Sequence, residues 1–285
     1  MESALNAIFE VLSFGAIIIL VVMGLGIIAG MMGIFNFAHG EFVLLGAYAT
    51  YLVWSFEFPV WLGMVAAPFV VAAIGFVLER LVIRRFYAAP TLAMLATYAL
   101  GLVIREGVRS LIGGVYISVP EPIVGSLTIA GVHLSRWRLA IVVITTMVML
   151  AGYLLLARTS LGLRVRAALE NPSLARASGI STSAIYAVTF SLGTALAGLA
   201  GALVVPVFSL FADLGIRFLI QSFLAIMLGG IGTFEGPLAG AGVVGVLSAA
   251  LPWAVTPVLA DVLVFVIAIV FVKFHPGGLI AGRRI

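Results

Sequence analysis

Apolar residues in this chain neither alternate with polar ones nor form the narrow stripes of a soluble helix; they fill long uncharged runs separated by short polar stretches. A bilayer-spanning helix needs about 20 predominantly apolar residues. Read between charges and turn signals, the runs predict helices near 12–33, 41–56, 60–79, 90–111, 138–157, 184–206, 217–231, 236–254 and 257–273. The second and seventh are short and glycine-rich, so the pattern allows 8 to 10 spans. No period-two alternation is present, which excludes a membrane β-barrel. The expected fold is all-α, a polytopic transmembrane helical bundle with short or broken spans, forming one domain over residues 1–285.

Composition agrees with the pattern. Apolar residues make up 64% of the chain and charged ones 9%, outside the range of a soluble domain. With no cysteine, disulfides and thiolate chemistry are excluded, and His39, His133 and His275 lack metal-ligand spacing. No metal or cofactor is expected. The first charges are Glu2 and Glu10 rather than a basic leader, so the first run is expected to stay as an anchor.

The net charge of +4 raises nucleic acid as a partner, but the distribution of the cations answers to topology instead. Arg80, Arg84 and Arg85 end the third run. Arg158, Arg164, Arg166 and Arg176 fill a polar island, and Lys273, Arg283 and Arg284 close the chain. With nine spans these clusters share one side, which the positive-inside rule makes cytoplasmic. The N-terminus is then outside and the C-terminus inside. Glu2, Glu57, a loop over 112–136 and the fewer arginines Arg105, Arg109, Arg136, Arg138 and Arg217 take the outer side.

The island at 158–181 is the longest polar stretch. Leu161, Val165, Ala168 and Leu169 recur at helical spacing, with Arg164, Arg166 and Glu170 pointing elsewhere, which predicts a short amphipathic helix lying along the membrane surface. Asn171 followed by Pro172 reads as an N-cap and first helical residue, and Gly179 as a C-cap, so a second short helix follows. Ser181 begins the next span. Physically, two readings stand side by side: small side chains such as Ala175 suit docking on a partner protein, and basic interfacial helices also bind anionic lipid.

A second polar group interrupts the apolar pattern at Asn36, Phe37, His39 and Glu41. Asn36 is placed to cap the helix that follows, and Glu41 in its first turn is favoured by the helix dipole. Polar groups at membrane depth face a cavity or a partner, which makes these residues candidates for a translocation path or its gate. A purely structural capping network at a re-entrant turn is the other reading. Gly230 and Gly232 join the path candidates, because the glycine-rich stretch before Gly236 and Pro237 predicts a broken span near 229–237. Other glycines, among them Gly26, Gly30, Gly193 and Gly201, follow small-xxx-small spacing and are packing residues.

No catalytic constellation is present, and no phosphate-binding GxxxxGK[ST], so any ATP hydrolysis belongs to another chain. Arg105, Glu106 and Arg109 read as an interfacial cluster ending the fourth span. Trp54, Trp61, Tyr116, Trp137 and Trp253 read as an interfacial aromatic belt. Ser191, Thr194 and Ser222 are the few hydroxyls offered to an apolar pathway. Glu41, Glu106, Asp213, Glu235 and Asp261 all fall near span ends, which speaks against a secondary carrier with acids deep in its spans. An intramembrane enzyme lacks paired catalytic groups altogether.

The island's spacing, L-G, R-A, N-P, A and G-I, running into TFSLGTALAGLAGAL, resembles the cytoplasmic coupling loop of ABC importer permeases of the branched-chain amino-acid family. GLGIIAGMMGIFNFAHGEFVLLGAYAT (24–50) and LAIMLGGIGTFEGPLAGAGVVG (224–245) resemble two further blocks of that family, in its order. The ending HPGGLIAG resembles a terminal motif that more often begins with arginine, so His275 departs from it. The resemblance implies a binding-protein-dependent transport system in a bacterial inner membrane, working by alternating access. Its partners would be a second homologous permease, two ATP-binding subunits and a periplasmic substrate-binding protein. It places the ATPase contacts on Arg166, Glu170, Asn171, Pro172, Ala175 and Gly179. Branched-chain or other hydrophobic amino acids are the implied substrates; the family also serves urea, short amides and aromatic carboxylates.

Overall fold

The computed structural model describes residues 2–87, 89–129, 132–230 and 235–280. Within them lie eleven α-helices: α1 (Glu2–Met32), α2 (His39–Ser55), α3 (Val60–Leu81), α4 (Pro90–Ile112), α5 (Arg136–Arg158), α6 (Ser160–Glu170), α7 (Pro172–Ala177), α8 (Thr182–Val204), α9 (Leu214–Gly229), α10 (Glu235–Ala250) and α11 (Pro257–Phe274). Each of the nine apolar runs is a helix. Among the described residues seven helices are long and apolar enough to cross a membrane, and α2 and α9, from the two short runs, have 17 and 16 residues. The chain is therefore a polytopic all-α membrane protein.

Small residues let the central helices approach closely. A Cβ on Gly24 of α1 would sit 2.6 Å from the Gly193 carbonyl of α8, and one on Gly193 would sit 2.6 Å from that of Gly24. Close packing replaces the hydrophobic effect as the source of helix association in lipid, so such backbone contacts are where the bundle gains its cohesion. α3 runs antiparallel to α8, with Gly75 beside Thr194 and Val71 beside Gly198. α10 runs antiparallel to α1, Pro237 against Gly26 and Gly245 against Gly15. α5 is tied to α1 where the Thr145 hydroxyl donates to the Ala16 carbonyl at 3.4 Å.

α4, α5 and α11 lie outside this core and expose Leu95, Val103, Leu150, Val258 and Phe265. Of the residues expected in an aromatic belt, Trp61 and Trp253 are exposed, whereas Trp137 is 3% exposed inside the bundle and so is not part of one. Trp137 is the second residue of α5, and at that position it faces the core rather than the interface.

The 112–136 loop carries structure that an apolar-run reading passes over. β1 (Ser126–Ile129) and β2 (Val132–Ser135) form an antiparallel ribbon with Leu127 opposite Leu134. Ser135 then caps α5, its hydroxyl accepting from the Arg138 N–H at 3.3 Å. Ile117 and Leu210 exchange backbone hydrogen bonds of 2.9 and 2.8 Å, which fastens the loop to the segment after α8.

Candidate functional site

After Met32 the chain turns back into the bundle. Gly33, at φ 63°, makes the reversal, and a β-carbon is disfavoured in that conformation. Residues 34–38 then run inward until His39 Nε2 lies 2.9 Å from the Val21 carbonyl, about 16 Å along the axis from the last residue of α1 at 1.5 Å per residue. A carbonyl only accepts, so Nε2 carries the hydrogen and Nδ1 is left as an acceptor. The first turn of α2 is consequently interior. Gly40 permits this, because a Cβ there would overlap the Gly215 carbonyl of α9.

Asn36 does not cap α2. The N-cap is Ala38, and Asn36 Oδ1 accepts the Ala38 N–H at 3.0 Å, a tight side-chain turn that precedes the helix by two residues. Phe37 donates its N–H to Thr97 Oγ1 at 3.1 Å and stacks its ring on Phe223, centroids 4.9 Å apart. Glu41 falls in the first turn of α2, near the end of its run as expected, but is fully buried there. Its partner is more than the helix dipole: Arg105 Nε and Nη2 donate to Oε1 at 2.9 and 2.6 Å.

Arg105 thus leaves the cluster expected at the end of α4. Arg109 takes Glu106 at 2.8 Å and Asp213 at 2.7 Å instead. The face of α4 that meets α2 is the stripe Thr97, Gly101, Arg105, spaced four residues apart; an added Cβ on Gly101 would stand 3.6 Å from Glu41 Cγ. That spacing was the available sequence signal, hidden because two of its three members read as ordinary span residues.

Three polar atoms here have no partner among the described residues: Asn36 Nδ2, His39 Nδ1 and Glu41 Oε2. A donor and two acceptors buried without partners mark a region that is under-satisfied by the fold itself. Gly230 is not part of it. It follows α9 at the end remote from Gly215, with φ 95°, where a Cβ would stand 2.8 Å from the Gly277 carbonyl. Gly232 lies outside the described residues. The pathway hydroxyls also point elsewhere: Ser191, Thr194 and Ser222 donate to carbonyls of their own helices at 2.9, 3.0 and 2.7 Å.

The island folds as two helices. α6 packs Val165 and Ala168 with Ile185, but Leu169, placed on the same apolar face by its spacing, is exposed. Asn171 caps α7 through Oδ1, which accepts the Leu174 N–H at 2.9 Å. Gly179, at φ 81°, ends it with N–H bonds from Gly179 to Arg176 O and from Ile180 to Ala175 O, 3.0 and 2.9 Å, the doubly bonded glycine stop of helices. Glu170, Asn171 and Gly179 are exposed, Pro172 is half-buried, and Arg166 is spent on the Leu156 carbonyl. Ala175 is 4% exposed and so faces the chain, because a one-turn helix has to turn one side inward. Leu163 and Leu174, each 63% exposed, and Leu169 are apolar residues this tip presents.

At the same end, Tyr87 donates its hydroxyl to Glu79 Oε1, an interaction with no sequence signature. Burial first, and then the Glu79 carboxylate, hold the Tyr87 phenol above its ordinary range, so it remains a donor.

The chain is 25% identical to the high-affinity branched-chain amino acid transport permease LivH of Salmonella typhimurium, over 97% of this chain and 95% of that protein. It is 27% identical to the permease BraD of Pseudomonas aeruginosa, over 94% and 93%. With a probable LivH of Methanocaldococcus jannaschii it shares 29% over 82% and 76%. No solved structure matches. Residues 7–272 match one family over nearly the whole helical bundle, and the chain belongs to that family, described as the branched-chain amino acid transport system / permease component.

Proposed function

We propose that this chain is the membrane-spanning translocation subunit of an ATP-driven importer for branched-chain or other hydrophobic amino acids in a bacterial inner membrane. It works with a second permease of the same kind, two ATP-binding subunits and a periplasmic binding protein. Its N-terminus is outside and its C-terminus in the cytoplasm, a reading that rests on the cations at the ends of α3, α5 and α11 and on α6 and α7 and on the positive-inside rule.

The observation that carries the reading is the tip formed by α6 and α7. It combines exposed Glu170, Asn171 and Gly179 with three exposed leucines, Leu163, Leu169 and Leu174, beside cations. Lipid headgroups would satisfy the arginines alone; apolar residues rimmed by charge fit a protein groove. Closure of the ATPases on nucleotide would move this tip, and through α8, which follows it directly, the central helices. The buried group at Asn36, His39 and Glu41 sits where the start of α2 meets α1, α4 and α9, and serves as the gate. Substrate released outside by the binding protein would pass inward after hydrolysis.

Burial of Glu41 gives a secondary carrier one argument, since coupling acids lie deep in spans. Its ion pair with Arg105 counts against it, because a proton- or sodium-coupling carboxylate has to change charge during the cycle. Purification of the tagged chain in mild detergent tests the choice. Co-purifying ATPases and ATP-dependent uptake of leucine after reconstitution are expected; uptake by this chain alone, driven by an ion gradient, would overturn the importer reading.

A further inference from the structure

One narrow row of residues holds α4 to the bundle. Its buried residues are Ala93, Thr97 and Gly101, four apart, and Arg105 and Arg109 continue the row. α4 packs on α2 and on the 3₁₀ turn Ile83–Phe86 before it, and on little else. What the row touches is the buried group. Thr97 Oγ1 accepts the Phe37 N–H, a Cβ on Gly101 would stand 3.5 Å from Ala38 Cα, and Arg105 pairs with Glu41. Arg109 then reaches Asp213, two residues before Gly215. The opposite face, with Leu95, Tyr98, Leu102 and Val103, is exposed. Lipid tails are as apolar as leucine, so a small displacement of α4 changes the surroundings of that face very little.

The ion pair on this row is half-engaged. Arg105 aims both Nε and Nη2 at Oε1 of Glu41, at 2.9 and 2.6 Å, and Oε2 has no partner among the described residues. A guanidinium meets a carboxylate best as a fork, with one N–H to each oxygen. A slide of α4 on α2 would supply the second bond, and Gly101, having no side chain, does not obstruct it. The joint therefore has two arrangements, and whatever moves α4 selects between them.

Tyr87, three residues before Pro90, ties down the other end of α4. Its hydroxyl donates to Glu79 in the last turn of α3, and its ring stands edge-on to Tyr186, centroids 5.2 Å apart and planes at 89°. Tyr186 is the fifth residue of α8, the next helix after α7. One side chain thus joins the root of α4 to the helix that leaves the α6–α7 tip.

We propose that α4 is a connecting rod: displacement of the tip passes from Tyr186 to Tyr87, shifts α4, and re-engages Arg105 on Glu41, which switches the group at 36–41. Tyr87 and Tyr186 are positioning residues in this scheme. It rests on the importer reading and adds to it the element that joins tip and gate. Transmission through α8 as a rigid body would instead leave α4 in place.

The test uses the assembled complex with its binding protein and leucine as cargo. ATP hydrolysis and ATP-driven uptake are measured together with the distance between spin labels at Leu12→Cys on α1 and Val103→Cys on α4, both exposed positions. The chain has no cysteine of its own, and dilution with unlabelled chain keeps the distance within one subunit. Trapping with ATP and vanadate should change that distance by about 2 Å or more. Tyr186→Leu and Tyr87→Leu should keep hydrolysis, lower uptake per ATP about tenfold and abolish the distance change. Tyr186→Phe keeps the ring and should behave as the wild type. A static α4 in the wild type overturns the proposal, even where both leucine variants fail to fold. So does full uptake per ATP by either leucine variant, or a distance change that persists in an assembled variant that no longer transports. ATP-driven uptake with α4 static removes the rod and leaves the importer; leucine uptake by this chain alone on an ion gradient removes the importer reading and the rod with it.

Discussion

Glu41 and Arg105 are 64 residues apart in sequence, and their carboxylate and guanidinium meet at 2.6 Å inside the bundle. The glutamate is fully buried and the arginine side chain is 16% exposed, which makes each the other's main source of charge compensation. Removing one partner from a buried pair costs about 3–5 kcal/mol, because the remaining charge is stranded. Glu41→Ala and Arg105→Ala should each lower the melting temperature of the detergent-purified chain strongly, and the double variant Glu41→Met with Arg105→Leu should recover much of the loss. Additive losses in the double variant would show that the two do not act as a pair.

Glu41→Gln keeps the shape and removes the charge. If the buried group is a gate, the variant assembles and transport falls; if it is only structural, yield and melting temperature fall first. Uptake assays on matched amounts of assembled complex separate the two outcomes.

The contact between Gly40 and Gly215 predicts a steep dependence on side-chain size. Alanine at either position would overlap the facing carbonyl, and overpacking of a tight site costs about 1–3 kcal/mol, more where backbone has to move. Gly152 in α5 has nothing within 4 Å of an added Cβ, so Gly152→Ala should be neutral or stabilising by up to about 1 kcal/mol. Thermal melts of the three variants side by side check the contrast.

At the tip, Gly179→Ala forces a β-carbon into a left-handed residue at about 1–2 kcal/mol, and Asn171→Ala removes a cap at about 1 kcal/mol. Both losses are confined to a six-residue helix that packs on little else. The complex should therefore stay assembled and hydrolyse ATP while uptake drops, and Glu170→Ala should do the same. Normal uptake by all three variants would remove α7 from the coupling route.

Tyr87→Phe takes the donor away from a buried carboxylate whose second oxygen has no partner among the described residues. A loss of about 1–3 kcal/mol is expected, and combining it with Glu79→Gln should reduce the penalty, since an unpaired neutral group is cheaper to bury than a charge. The melting temperatures of the two single variants and the double variant decide this.

The helices, the caps at Asn171, Ser135 and Ser181, and the glycine stop at Gly179 are fixed within a few residues of themselves. Hydrophobic run length and side-chain bonding to the nearest N–H groups are local, so the sequence alone determined them, together with the separation of the cations into clusters. How deep a helix begins is not local. That α2 starts beside Val21 depends on where 33–38 turn back, and that turn depends on glycines of α8 and α9 that let three backbones share one space. Only the tertiary structure therefore decided that Glu41 is an interior residue, that Arg105 and not its neighbours compensates it, and that Ala175 faces inward while Leu174 does not. The physical reason is that a charge takes its meaning from what surrounds it, and in a bundle the surroundings come from helices far apart along the chain.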